Sequence, residues 1–166
     1  MLLYKGTTLS QAQSYLPKIE LDCRTNNLYY GRGFYTLTKK EIAVLVAQNF
    51  AFKRHDRAVV NTYYLDDEVF KKCSIMEFKE LTESWLDFVV GNRDDSSHPK
   101  ILDAVESFVI DDDMMQNVIY FENQVFTKPQ IMNRLRTCKI LKTYKQIDLK
   151  SYKILNYLKL VESELV

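Results

Sequence analysis

Gly31-Arg32-Gly33-Phe34-Tyr35-Thr36-Leu37-Thr38, running on into Lys39 to Asn49, is the stretch from which the fold is read. It sets two of the chain's four glycines ahead of two aromatics and a helix start. The glycine pair lets the backbone turn and approach another group with no side chain in the way. Phe34 and Tyr35 then bring flat faces to the same place. Thr38 and Glu41 have the spacing of a capping box, and Ile42, Leu45, Val46 and Asn49 follow at helical period. The segment therefore predicts a turn, a strand and a capped helix in succession. Two uses fit it: a turn feeding a buried strand, or the wall of a pocket for a planar, anion-bearing ligand.

The same signals extend outward along the chain. Ser10 to Leu16 predicts a helix stopped at Pro17, and Thr127 with Gln130 repeats the capping box ahead of Ile131 and Leu135, with Pro129 tolerated in the first turn. Glu83 to Val90 predicts a helix closed by Gly91, and Asp111-Asp112-Asp113 supplies the acids that favour a helix start before Met114 to Phe121. Strands are expected at Leu2 to Tyr4, Gly33 to Thr36, Val59 to Leu65, Ser74 to Phe78, Ala104 to Val109 and Lys145 to Leu149. The mixture is α+β. No repeat or low-complexity linker divides residues 1–166, and polar, turn-rich Asn92 to Pro99 predicts a surface loop within one domain.

Composition narrows the class of function. A chain of 166 residues can bury roughly two-thirds of its unfolded surface, enough for one core without staples. The formal charge is only +1, so no global field points to nucleic acid or a membrane surface. Apolar runs such as Ile42 to Val46 and Trp85 to Val90 are too short or too interrupted to span a bilayer, and Met1 to Leu16 lacks a basic start followed by an apolar run. A cytoplasmic protein is expected. Cys23, Cys73 and Cys138 are far apart, as are His55 and His98, so no metal site is expected.

Two further segments join the glycine stretch: Leu3-Tyr4-Lys5-Gly6-Thr7 near the start, and Tyr144-Lys145-Gln146-Ile147 near the end. Together the three resemble the strand segments that build the NAD site of ADP-ribosyltransferases. More closely, the chain resembles a family of small bacterial proteins of unknown function in that clan, whose pattern is Tyr-His-Gly-Thr/Ser, Gly-Lys/Arg-Gly-Phe-Tyr and a late Asp-Gln-Ile. The middle block Val60-Asn61-Thr62-Tyr63-Tyr64-Leu65 and the block Glu83 to Arg93 carry the resemblance across nearly the whole chain. It implies a split-sheet fold of two antiparallel sheets packed together around a NAD-sized cleft. It also implies an ADP-ribosyltransferase-like protein that binds NAD as substrate or ligand, with weak transfer or hydrolysis.

The resemblance assigns roles residue by residue. Tyr4, Lys5, Gly6 and Thr7 correspond to the segment that grips nicotinamide and ribose, although Lys5 stands where the family has histidine and offers a cation without an acceptor. Gly31, Gly33, Phe34, Tyr35, Thr36 and Thr38 form the cofactor-binding strand, with Tyr35 as the stacking aromatic. Gln146 takes the place of the clan's catalytic glutamate; its amide can accept from a ribose hydroxyl but cannot offset cationic charge as a carboxylate does. The catalytic candidates are thus Gln146, Lys5 and Tyr35. Each has a structural alternative: Lys5 as a solvated strand-end residue, Tyr35 as a core aromatic, Thr38 as a helix cap, Thr36 as an ordinary strand residue and Gln146 as an exposed one. The alternative function is a catalytically inactive relative that binds nucleotide or a partner, such as a small companion protein of a toxin–antitoxin pair. Met114-Met115, Val118 and Ile119 form an apolar helix stripe that suits such a partner or packs into the chain's own core. Arg134, Arg136, Lys139, Lys142, Lys145, Lys150 and Lys153, interleaved with Tyr144 and Tyr152, suit a phosphate-rich ligand or nucleic-acid strand but read first as a solvated charged face.

Overall fold

Val59 and Val60 are β-branched, Tyr63 is aromatic, and all three are buried, which is the pattern of a strand covered on both faces. In the computed structural model, which describes residues 1–15, 30–93, 102–138 and 144–166, that segment lies inside a seven-stranded sheet. The elements, in chain order, are β1 (Leu2–Thr8), α1 (Leu9–Tyr15), β2 (Phe34–Leu37), α2 (Lys40–Arg54), β3 (Ala58–Tyr64), α3 (Asp67–Lys71) and β4 (Ile75–Glu77). They continue with α4 (Glu83–Arg93), β5 (Ala104–Phe108), α5 (Asp112–Glu122), α6 (Lys128–Thr137), β6 (Lys145–Leu149), α7 (Tyr152–Leu155) and β7 (Lys159–Leu165). The strand order is β4-β5-β6-β2-β1-β3-β7. All pairs are antiparallel except β4 with β5, so the expected α+β class holds in a mixed sheet.

The sheet is one, not two sheets packed together, but its middle is tenuous. β1 pairs with β3 through seven registered residues and β2 with β6 through four, whereas β1 meets β2 at the single pair Tyr4↔Leu37. The two halves therefore part beside Lys5 to Thr7. Helix α2 lies on the β1–β3 half, presenting buried Ala43, Ala47 and Ala51 at the i, i+4 spacing that lets backbones come close. A Cβ on Gly6 would sit 2.2 Å from the Ala43 carbonyl oxygen, so Gly6 is where helix and strand touch. On the other half, α4, α5 and α6 cover a second core built from Trp85, Leu86, Val89, Val105, Met114, Val118, Ile131 and Leu135. The opposite face closes with α7 over Phe34, Ile147, Leu149 and Tyr63.

Helix ends follow the local chemistry, with two exceptions. Asp111 caps α5 by accepting from the Met114 N–H at 2.7 Å, and the capping box of Thr127 and Gln130 opens α6. The box expected at Thr38 does not form. The N-cap of α2 is Lys39, without a side-chain bond, because Thr38 Oγ1 donates to the Lys145 carbonyl of β6 instead. Helix α4 also runs through Gly91 to Arg93 rather than closing there. The rest of the expected loop, Asp94 to Pro99 with His98 in it, lies outside the described residues, as does Cys23. No helix among the described residues is long and apolar enough to cross a membrane.

Candidate functional site

The strand register puts the three candidate segments side by side, since β6, β2 and β1 are neighbours. Side chains opposite one another share a face, and faces alternate along each strand. Ser107, Gln146, Leu37, Tyr4 and Thr62 accordingly form one row across five strands. Val105, Asp148 and Tyr35 form the next row on that face. Thr36, Ile147, Phe34, Lys5 and Thr7 belong to the other face. The candidates thus approach the parting of the sheet from both sides: Tyr4, Tyr35 and Gln146 from one, Lys5, Thr7, Phe34 and Thr36 from the other.

Lys5 spans the gap between the halves. Its Nζ donates to the Tyr35 carbonyl at 3.2 Å and lies 4.4 Å from the centre of the Phe34 ring. It is half-buried and not the solvated strand end of the alternative reading. The hydroxyls are occupied by the fold: Thr36 Oγ1, buried, donates to the Ile147 carbonyl at 2.7 Å, and Thr7 Oγ1 donates to Gln11 Oε1 at 3.1 Å. Tyr35 is half-buried; its hydroxyl donates to the Gly31 carbonyl at 2.7 Å and accepts from the Tyr30 N–H at 3.0 Å. Gln146, expected among exposed residues in one reading, is only 6% exposed, and its Nε2 finds no hydrogen-bond partner among the described residues. Ser107 Oγ, opposite it on β5, is also buried without one.

Two of the glycines have definite occupants in their missing Cβ positions. Gly31 adopts φ 75°, in the left-handed region that favours glycine, with the Asn92 carbonyl 2.6 Å from where a Cβ would be. Gly33 leaves room for the Asp148 carboxylate, whose Oδ1 lies 1.8 Å from that position. Asp148 is fully buried, its Oδ2 lies 2.8 Å from Lys150 Nζ, and its Oδ1 accepts no hydrogen bond among the described residues. Burial pushes this carboxyl up to about 6, against the opposing pull of the Lys150 ammonium and, more weakly, of Lys5. Lys150 Nζ also donates to the carbonyls of Tyr30 and Arg32.

Asp148 is the residue that sequence reasoning missed, and Lys150 is one that it assigned to a different setting. The signal was present: an acid between Ile147 and Leu149 on a strand of buried residues, two positions after Gln146, has to share Gln146's face. Lys150, expected on a solvated basic face, has a side chain only 13% exposed. Other cations of that surface are spent on neighbours as well. Arg134 donates to Asn117 Oδ1 at 2.7 Å and covers the Phe126 ring, Lys145 pairs with Glu106 and Glu77, and Lys153 pairs with Asp103. Lys139 and Lys142 lie outside the described residues. The stripe offered for a partner turns inward: Met114, Met115 and Val118 are buried in the chain's own core and Ile119 packs against it.

The chain matches, over residues 1–160, the family described as Protein of unknown function (DUF3990), and it belongs to that family. No curated protein and no solved structure matches it.

Proposed function

We propose that this chain is an ADP-ribosyltransferase-like protein that binds NAD, or a related nucleotide, where the sheet parts between β1 and β2. The observation that supports this is the neighbourhood of β6, β2 and β1 with a single registered pair at Tyr4↔Leu37, since the clan's site draws on these three segments and on a split between half-sheets. Lys5 and Tyr35 border that split from its two sides, and aromatic Tyr35 offers a face of the kind that stacks on nicotinamide.

Binding is favoured over rapid turnover. Breaking the bond between nicotinamide and ribose develops positive charge on the sugar, which a site must offset. Lys5 brings a cation to the split and Gln146 brings a neutral amide. The carboxylate on Gln146's face, Asp148, is committed to Lys150 beneath Gly33. Transfer or hydrolysis is therefore weak, and a wholly inactive nucleotide-binding relative is the second reading.

Calorimetric titration with NAD and a nicotinamide-release assay test both. NAD should bind the wild-type protein, and Lys5→His, Gln146→Glu and their combination should raise release, the double variant by more than the product of the single effects. NAD binding without release from any variant leaves the inactive relative; no NAD binding by the folded wild type overturns the proposal.

A further inference from the structure

The Gly31–Tyr35 segment is gripped by groups outside the three segments that make up the candidate site. Tyr30, immediately before it, is buried, and its hydroxyl accepts from Trp85 Nε1 at 3.1 Å. Lys150 Nζ reaches across from the end of β6 to the carbonyls of Tyr30 and Arg32, and Asp148 Oδ2 supplies its counter-charge. The carboxylate fits only because Gly33 has no side chain. We propose that Lys150 and Asp148 form a latch that positions the Gly31–Tyr35 segment, and that the charge on Asp148 sets how tightly the latch holds.

The geometry fixes the sign. In the closed latch, Asp148 is out of water. It faces the Lys150 ammonium, Lys5 acts on it from β1, and Val105 and Tyr35 stand opposite it on β5 and β2. Opening the turn returns the carboxyl to water. Because burial outweighs both lysines, the proton binds more tightly to the closed form, whose carboxyl sits at about 6. The closed form is therefore favoured as pH falls through about 6 toward the ordinary aspartate range, and loosens as pH rises through the same window. Mild acid tightens this latch. A ligand that stacks on Tyr35 would bind better at pH 5 than at pH 7.5; that clause alone rests on the NAD reading.

Amide hydrogen exchange on the full chain at pH 5 and 7.5, corrected for intrinsic rates, tests the latch. In the wild type, protection of the Gly31–Tyr35 amides relative to β3 should be about tenfold or more higher at pH 5, following a shift of at least one pKa unit. Asp148→Asn should abolish that difference. Lys150→Met should lower the segment's protection roughly tenfold or more at both pH values while β3 changes little, and Lys150→Arg should recover part of it. The latch is overturned if the wild type and Asp148→Asn share one pH course, or if Lys150→Met leaves the segment as protected as before or weakens β3 equally. Should Lys150→Met fail to fold, the comparison of wild type with Asp148→Asn still decides. A latch signature in a protein that does not bind NAD supports the latch and removes only the ligand reading.

Discussion

Asp103 and Asp148 are both buried aspartates facing a lysine, and they are pushed in opposite directions. Asp103, at the head of β5, accepts from the Ser74 N–H at 3.0 Å, from Ser151 Oγ at 2.6 Å and from Lys153 Nζ at 3.0 Å. Burial pushes its carboxyl up, but these bonds more than offset that and hold it below the usual aspartate value. Asp148 has a lysine at similar distance but no further donor among the described residues, and burial wins. A counter-ion alone does not make a buried carboxylate comfortable; a full set of donors does. Asp103 is accordingly a bracket joining the starts of β4, β5 and α7, whereas Asp148 is a tense element beneath the Gly31–Gly33 turn.

That contrast is most easily broken at Asp103. Asp103→Ala removes three bonds and strands the Ser74 N–H, and should destabilise the fold by about 3 kcal/mol in denaturant titration; a loss below about 1 kcal/mol would mean the bracket is decorative. The next largest effect falls at Gly33. Gly33→Ala puts a methyl where the Asp148 carboxylate lies, and should cost about 2 kcal/mol. Most of that cost should vanish in an Asp148→Ala background, and a double-mutant cycle that adds without interaction would show that the carboxylate is not what Gly33 accommodates. Asp148→Asn sharpens the comparison with the smallest change, within about 1 kcal/mol of wild type at pH 7. Thermal melts across pH should separate the two acids. Asp103 contributes stability above its unfolded value that is lost as pH falls, while Asp148 makes the fold more stable as pH falls from above 6 toward 4, on the order of 2 kcal/mol. Asp148→Asn should erase only the second slope.

Much of the architecture was legible because it rests on local chemistry. The six expected strands exist, and the Asp111 and Thr127 caps open their helices, since period and capping are properties of a few adjacent residues. β7 was not foreseen: it is almost wholly exposed, so its side chains carry little burial pattern, and its place is set by pairing with β3. Thr38 misled for a related reason, its hydroxyl being claimed by a carbonyl over a hundred residues away. At the candidate site, the adjacency of the three segments was an expectation of the sequence reading, but the faces were not. That Lys5 and Gln146 lie on opposite faces, and that Gly33 leaves room for the Asp148 carboxylate, depends on register across β1, β2 and β6, which no single segment encodes.

The position of β6 in the sheet carries a consequence for how the chain is made. β6 lies between β5 and β2, although it follows both in sequence, by more than a hundred residues in the case of β2. As the polypeptide leaves the ribosome, β1 can pair with β3 early, but β2 and β5 each keep an open edge until Lys145–Leu149 emerges to fill the gap. Such long-range closure is slow, and open edges invite other chains. The interval between synthesis of β5 and of β6 is thus the stage at which a nascent chain has most need of a chaperone.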